Sequence, residues 1–246
     1  MNPDSQAPKD CAFPRRKFLG NLAAAGIAGI SSNACLAPES PPIRATMQLG
    51  SESIRQQFVL PDNLIYLNCG SLGPCPQTVI EATNDAWTIL ESNPVNQAYG
   101  PLLLKMEKVR QNAADFLGCD LAELAFTRNA TEAMSTIAQG IQLKPGQRIL
   151  TSDQEHPGGS ICWEYFAKRT GIHIDKVKLG LPPSNADEIL RVIKAAISPQ
   201  TRVISLSHVT YPTGIRMPLR QIAGLARTRE ILLIVDGAQA PGMLPV

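Results

Sequence analysis

The chain has 246 residues, of which 44% are hydrophobic and 18% are charged, so it can hold one large α/β domain or two small ones. Its formal net charge is only +2 and its lysines and arginines are scattered, which excludes the basic stripe typical of nucleic-acid-binding proteins. The cysteines and histidines show no metal-ligand spacing, so we expect no metal site.

Residues 1–37 resemble an export signal of the twin-arginine type. The paired Arg15 and Arg16 precede a short apolar run of small residues. That run is shorter than the roughly 20 apolar residues that span a membrane, so we expect no permanent membrane anchor. We expect cleavage after Ala37 and a periplasmic or otherwise exported protein, with lipid attachment at Cys35 as the alternative fate of this segment.

Residues 38–61 are rich in Pro, Ser and Gln, which predicts a linker and an N-terminal arm ahead of a folded domain over 62–246. The domain begins with a predicted short strand after Asn63, a helix that opens at Pro76, and a second helix over 102–117. The first of these helices has an apolar side that we expect to face inward, formed by Val79, Ile80, Ala86, Ile89 and Leu90.

Strands and helices alternate along the rest of the chain. The predicted strands are ELAFT, QRILTS, HIDKVKL, TRVISLSHV and ILLIV. The predicted helices begin at Thr131 and Ser160 and extend over 186–197 and 219–228. This alternation predicts an α/β fold of three α-β-α layers with a mostly parallel sheet. In such folds ligands bind beyond the carboxyl ends of the strands, so the loops after the strands are the candidate sites.

Two of these loops carry residues suited to an aromatic phosphate. After ELAFT, Asn129 and Glu132 predict a capped helix whose first amides, with the Thr131 hydroxyl, suit a phosphate group. After QRILTS, His156 stands beside two glycines, where its flat ring can lie on an aromatic ligand. An ordinary helix start and a surface-loop histidine are the respective alternatives, and each explains its own loop when that loop is taken alone.

The other two loops carry hydroxyls and a carboxylate. Thr210 and Tyr211 precede a Pro-Thr-Gly turn, for which a plain tight turn is the alternative. Asp236 ends the last predicted strand and Gln239 follows one turn later, where a strand-end capping residue is the alternative. It is the occurrence of all four loops together that indicates a ligand site.

Five segments, in this order and at this spacing, resemble the class V aminotransferase group of pyridoxal-phosphate enzymes, in particular its isopenicillin N epimerase-like and cysteine desulfurase-like branch. The segments are YLNCGSLGPCP, TRNATEA, EHPGG, SHVTYPTG and VDGAQAPG. The resemblance covers residues 63–246. It implies an aspartate aminotransferase-like large domain that is incomplete at its C-terminus.

The resemblance implies a set of residues that bind pyridoxal 5′-phosphate, namely Ala130, Thr131, His156, Thr210, Asp236 and Gln239. The phosphate would lie at Ala130 and Thr131, in agreement with the helix-start argument. His156 would stack on the pyridine ring, and Asp236 would pair with the ring nitrogen and keep it protonated. Gln239 would donate a hydrogen bond to the 3-oxygen of the ring.

The resemblance also implies a small-molecule amino-acid substrate, whose carboxylate would lie near Asn68, Gly70 and Ser71. Tyr211 stands where desulfurases carry an asparagine, which argues against a desulfurase. The family builds its site across a dimer interface, so a homodimer is implied for the complete parent.

The Schiff-base lysine of the family would follow Asp236 by about two dozen residues, which lies beyond Val246. We therefore expect the N-terminal fragment of a pyridoxal-phosphate enzyme acting at the α-carbon of an amino acid, as an epimerase, an aminotransferase or a C–S lyase. The fragment alone would be inactive. The alternative is a non-catalytic remnant or binding module of the same fold.

Overall fold

The computed structural model describes residues 51–180 and 185–244. The export signal predicted at 1–37 and residues 38–50 of the predicted linker lie outside these ranges. The described part of the predicted arm contains one short helix, α1, at Ser51–Arg55. No helix in the described residues is both long enough and apolar enough to cross a membrane.

Three helices and a 3₁₀ helix follow α1 along the chain. They are α2 (Gln77–Ser92), α3 (Pro94–Ala98), α4 (Pro101–Leu117) and the 3₁₀ helix Leu121–Glu123. The predicted helices at Pro76 and at 102–117 are confirmed as α2 and α4. Helix α4 ends at Gly118, whose φ of 67° is the left-handed cap that glycine adopts at low cost.

The inward side predicted for α2 was wrong for the described part of the chain. None of the residues of α2 is buried, and Val79 and Ile80 are 48% and 40% exposed. The apolar spacing correctly predicted a helix with one apolar side, but described residues cover that side only in part, at the half-buried Ala86 and Leu90. Amphipathic spacing therefore identified the helix without identifying what it packs against.

Two predicted strands, the one after Asn63 and ELAFT, are not formed. Residues 63–68 and 124–127 belong to no strand, although Leu124 has extended dihedral angles of −103° and 126°. An extended segment becomes a strand only when a neighbouring strand satisfies its amide and carbonyl groups. No described strand lies beside either segment, so both remain irregular.

The remaining strands form one parallel sheet in the order β2-β1-β3-β4. They are β1 (Arg148–Ser152), β2 (His173–Val177), β3 (Thr201–Ser207) and β4 (Leu232–Asp236). Helix α5 (Ala130–Gly140) precedes β1, and the crossovers are α6 (Pro157–Thr170), α7 (Ala186–Ala196) and α8 (Leu219–Arg227). The last four predicted strands and their helices are confirmed, with bounds shifted by a few residues.

The helices cover both faces of the sheet, which confirms the three-layer prediction. On one face, Met134 of α5 and Trp163 of α6 pack with Ile149 and Val203 of the sheet. On the other face α7 and α8 pack on side chains that alternate with these along the strands. That second core contains Leu150, Ile189, Ile193, Ile204, Leu206 and Ile222.

The chain reverses direction across the sheet between β1 and β3. From β1 it moves outward to β2, and it returns to place β3 on the other side of β1. The loops that follow β1 and β3 therefore leave on opposite faces and open a crevice at the carboxyl ends of the strands. The fold thus places the candidate loops together.

Candidate functional site

A cavity of about 230 Å³ lies at the carboxyl ends of β3 and β4. It brings together most of the predicted site residues. Those that line it are Gly70, Ser71, Ala130, Thr131, His156, Asp236 and Gln239. Asn68 and Thr210 are not among the lining residues, whereas Tyr211 is.

Thr210 and Asn68 hold the loops that carry lining residues. The Thr210 side chain is fully buried, and its Oγ1 lies 2.8 Å from Thr213 Oγ1 and accepts from the Ile215 amide at 2.9 Å. It thereby fixes the turn that presents Tyr211. The Asn68 carbonyl accepts from the Ser71 amide at 3.1 Å, so Asn68 shapes its loop through the backbone.

The N-terminus of α5 opens onto the cavity. Asn129 Oδ1 accepts from the Glu132 amide at 2.9 Å, as its capping position predicts. The Glu132 carboxylate bonds the Arg128 amide at 2.7 Å instead of the amide of Asn129, so the predicted capping box is shifted by one residue. Hydrogen bonds from Arg128 also lower the pKa of Glu132. Ala130 and Thr131, the first two residues of α5, line the cavity, where the helix dipole favours an anion.

His156 caps the second helix that opens onto the cavity, α6. Its Nδ1 accepts from the Gly158 amide at 3.0 Å, which places the ring proton of the neutral imidazole on Nε2. The His156 ring meets the Tyr211 ring edge-on, with centroids 4.6 Å apart and planes at 88°. One hydrogen bond and one aromatic contact therefore fix the orientation of this ring.

Two glycines in the first turn of α6 permit the close approach of its neighbours. A Cβ on Gly159 would lie 2.5 Å from Asp236 Oδ2, and a Cβ on Gly158 would overlap Thr131 Oγ1. Real Cβ atoms do not approach other atoms this closely, so the Asp236 carboxylate and the Thr131 hydroxyl occupy space that only glycine leaves free. The two glycines of EHPGG thus leave the space that the Thr131 hydroxyl and the Asp236 carboxylate occupy.

Asp236 is the last residue of β4, and it faces the first turn of α6. Its Oδ1 accepts from the Ala238 amide at 3.0 Å and its carbonyl accepts from the His208 amide at 2.8 Å. These bonds leave Oδ2 directed toward Gly159. Gln239 lies beside Gly70, where the Gln239 Nε2 is 3.6 Å from the position of a Cβ on that glycine.

A further carboxylate, Glu155, was not identified from the sequence. Ser152 Oγ donates to its Oε1 at 2.5 Å, and Ser207 donates to its Oε2 from the amide at 2.7 Å and from the hydroxyl at 2.6 Å. Burial raises the pKa of Glu155, the serine hydrogen bonds lower it, and the charge of Asp236 raises it further. The signal in the sequence was an acid just past a strand, with serines at strand ends.

The arrangement suits a ligand with two kinds of polar group. The N-termini of α5 and α6 attract an anion, and Asp236 attracts a cation or a protonated ring nitrogen. His156 presents a flat ring at the same cavity. No cluster of three or more metal-ligating side chains occurs among the residues that the structure describes.

Comparison with known proteins identifies the family of this chain. The family model for aminotransferase class-V matches residues 65–246. The chain belongs to the class-V aminotransferase family. This class-V chain is 33% identical over 193 residues to isopenicillin N epimerase of Streptomyces clavuligerus. The aligned residues cover 78% of the chain and 48% of that relative. It is 28% identical to a probable cysteine desulfurase of Vibrio cholerae, over 78% of the chain and 50% of the relative.

Solved structures similar to this class-V chain agree with the fold. A mutant of C-DES with glycine covalently linked to the PLP cofactor superposes with a TM-score of 0.71 at 28% identity, over 78% of this chain and 51% of that one. The cysteine desulfurase CsdA of Escherichia coli gives a TM-score of 0.68 at 26% identity, over 80% and 51%. The family and fold predictions are therefore confirmed, and the chain spans about half the length of the curated relatives it matches.

Proposed function

We propose that the cavity binds pyridoxal 5′-phosphate and that the chain forms the N-terminal part of an enzyme acting at the α-carbon of an amino acid. The observation that carries the proposal is the placement of Asp236 Oδ2 beside the glycine turn of α6, in the same cavity as the start of α5. This arrangement offers an anion site and a partner for a protonated nitrogen within one small cavity.

The residues present fit this cofactor. The α5 start at Ala130 and Thr131 would hold the phosphate, and the Thr131 hydroxyl has the space it needs because residue 158 is glycine. The His156 ring would lie on the pyridine. When bound, pyridoxal phosphate supplies an electron sink for the substrate α-carbon.

The chain's own groups set the charge of the site and the orientation of the His156 ring. Asp236 would hold a proton at the ring nitrogen, because its carboxylate would stabilise the positive charge there. Gln239 would donate from Nε2 to the 3-oxygen. The edge-on contact of Tyr211 with His156 would hold the His156 ring in the orientation that lies on the pyridine.

Among the reaction types, we propose epimerisation of an amino-acid substrate ahead of desulfuration. The isopenicillin N epimerases of Streptomyces clavuligerus and Amycolatopsis lactamdurans are 33% and 34% identical to the chain, against 28% for the Vibrio cholerae desulfurase. Tyr211 lines the cavity at the position where the resemblance implies an asparagine in desulfurases. Homodimerisation of the complete protein belongs to the same proposal.

Titration of the chain with pyridoxal phosphate, followed by absorbance and induced circular dichroism, tests the proposal. We expect saturable binding that Asp236→Ala weakens by about tenfold or more, since the charge partner of the ring nitrogen is lost. The matched control is Asp187→Ala, an exposed aspartate of α7, which should bind as the wild type does. Absence of saturable binding, or equal affinity in both variants, would contradict the proposal.

Borohydride reduction of the bound chain separates an enzyme from a binding module of the same fold. Attachment of the cofactor mass to a lysine, found by peptide mass spectrometry, marks an enzyme that anchors its cofactor covalently. Saturable binding without any mass addition, in a chain extended beyond Val246 as well as in this one, marks the binding module. The same measurement on a chain extended beyond Val246 tests the expectation that the anchoring lysine follows there.

We further propose that the protein is exported through the twin-arginine route. The paired Arg15 and Arg16 ahead of an apolar run support this proposal. Replacing both arginines by lysine should retain the protein in the cytoplasm, as measured by cell fractionation. Unchanged accumulation outside the cytoplasm would refute this route.

A further inference from the structure

Glu155 lies behind the cavity wall and connects the ends of two strands. Its Oε1 accepts from Ser152, the last residue of β1, and its Oε2 accepts twice from Ser207, the last residue of β3. Both serines are buried, and Glu155 itself is half-buried. The carboxylate therefore links the ends of β1 and β3, where the loops that follow these strands leave on opposite faces of the sheet.

The donors around Glu155 are committed to it. Ser152 Oγ already accepts from the Gln154 amide at 3.1 Å, so its hydroxyl hydrogen is free to point at Glu155. The Ser207 amide can only donate, which requires Oε2 to be an acceptor. The three bonds are 2.5 to 2.7 Å long, in the range of hydrogen bonds to a charged acceptor.

Glu155 is connected to two residues that line the cavity, His156 and Ser207. His156 follows Glu155 in the chain, and Ser207 both lines the cavity and pairs in register with Asp236. On the other side of β1, Asp153 Oδ1 accepts from the Leu179 amide at 3.1 Å and anchors the same loop to the segment after β2. The position of His156 is thus fixed from both sides.

We infer that Glu155 is a positioning residue, which clamps the carboxyl ends of β1 and β3 and so holds His156 and Ser207 in place at the cavity. Its effect on cofactor binding rests on the proposed function, whereas its effect on the strand ends does not. The clamp therefore requires side-chain atoms at position 155 that form hydrogen bonds with both Ser152 and Ser207.

This requirement distinguishes glutamine from alanine at position 155. The amide oxygen of Glu155→Gln can accept both bonds from Ser207, and its NH₂ can donate to Ser152 Oγ, which has acceptor capacity left. Glu155→Ala leaves the Ser207 amide without a partner at the strand end. A positioning role predicts loss in the alanine variant and rescue in the glutamine variant.

Hydrogen exchange of the chain without any added ligand tests the clamp itself. In Glu155→Ala we expect the Ser207 amide to exchange at least about tenfold faster than in the wild type, because its bond to a charged acceptor is lost. In Glu155→Gln we expect a rate within about threefold of the wild type. Wild-type protection of Ser207 in Glu155→Ala would overturn the inference.

Pyridoxal phosphate titration of the same variants tests the consequence for the cavity. We expect about tenfold or greater loss of affinity and an altered induced circular dichroism signal in Glu155→Ala, with recovery of both in Glu155→Gln. The matched control is Asp175→Asn, which removes a carboxylate bonded by Arg148 at 2.6 Å at the start of β1, the end remote from the cavity. The control should keep wild-type affinity.

The outcomes separate the two proposals. Equal affinity in Glu155→Ala and wild type, or equal loss in Asp175→Asn, would show that Glu155 does not position the cavity. If the wild type itself fails to bind, the proposed function fails, while the exchange of Ser207 still decides the clamp. If Glu155→Ala does not fold, Glu155→Leu keeps most of the side-chain volume without the acceptor oxygens, and wild-type exchange at Ser207 in that variant would overturn the inference.

Discussion

Replacing Gly159 by alanine tests whether the close approach of α6 to Asp236 shapes the cavity. The new Cβ would lie 2.5 Å from Asp236 Oδ2, so one of the two must move by about 0.9 Å to reach an ordinary contact distance. The carboxylate is not free to turn away, because its Oδ1 holds the Ala238 amide. Overpacking of this kind costs about 1–3 kcal/mol.

The opposing effect is the helix preference of alanine, which favours it over glycine inside a helix by about 0.5–1 kcal/mol. Gly224 isolates this second effect, because it is an exposed glycine of α8 whose added Cβ would meet nothing within 4 Å. We expect Gly224→Ala to raise the free energy of unfolding by about 0.5–1 kcal/mol. We expect Gly159→Ala to lower it by up to about 2 kcal/mol.

Urea unfolding of the two variants measures both changes, and melting temperatures should diverge by about 2–4 °C for each 1 kcal/mol of difference. Gly159→Ala should also weaken pyridoxal phosphate binding by about tenfold or more, because Asp236 is displaced. The reasoning is refuted if Gly159→Ala stabilises the chain as much as Gly224→Ala does.

In an active chain that carries the anchoring lysine, Asp236→Ala should reduce turnover far more than Gln239→Ala, which loses one hydrogen bond of about 0.5–1.5 kcal/mol; equal kinetic losses would disprove this difference. Because burial raises the pKa of Glu155, its stabilising effect is present below the unfolded pKa and is lost as pH rises through the folded pKa. Glu155→Gln should therefore gain stability relative to wild type as pH rises above the ordinary pKa of glutamate, measured by urea titrations, and a pH-independent difference would count against it. Ser205→Ala should cost about 1–3 kcal/mol, because the buried Trp163 Nε1 that donates to it at 2.9 Å loses its partner.

The sequence predicted those elements whose stability comes from packing within the described fold. The strands from β1 to β4 were recognised by their apolar runs, because each lies beside another strand under helices on both faces. ELAFT has a similar pattern, with Phe126 now 51% exposed, but its pairing depends on a neighbour that local composition does not reveal. Local sequence reports the tendency to extend, and the partner decides whether a strand forms.

The candidate site shows a similar division. Asp236 and His156 each had a local explanation when taken alone, and they were identified because four such loops occur together. Both line the cavity. Thr210 was selected for its hydroxyl, yet that hydroxyl accepts a hydrogen bond within its own turn. Whether a hydroxyl points into the turn or into the cavity depends on the local backbone, and the sequence does not show it. Glu155 was overlooked because its partner Ser207 is far away in the chain, and only the fold brings them together.

Asp236 lies on β4, the outermost strand at its edge of the described sheet, which bonds to β3 on one side only. A molecule bound by both Asp236 and the start of α5 would connect this edge strand to a second element of the fold. Separation of β4 from the sheet would then require release of the molecule. By mass action, each tenfold excess of such a molecule over its dissociation constant would make that separation about tenfold rarer. The supply of that molecule would then govern how long the folded chain survives proteases, independently of any reaction.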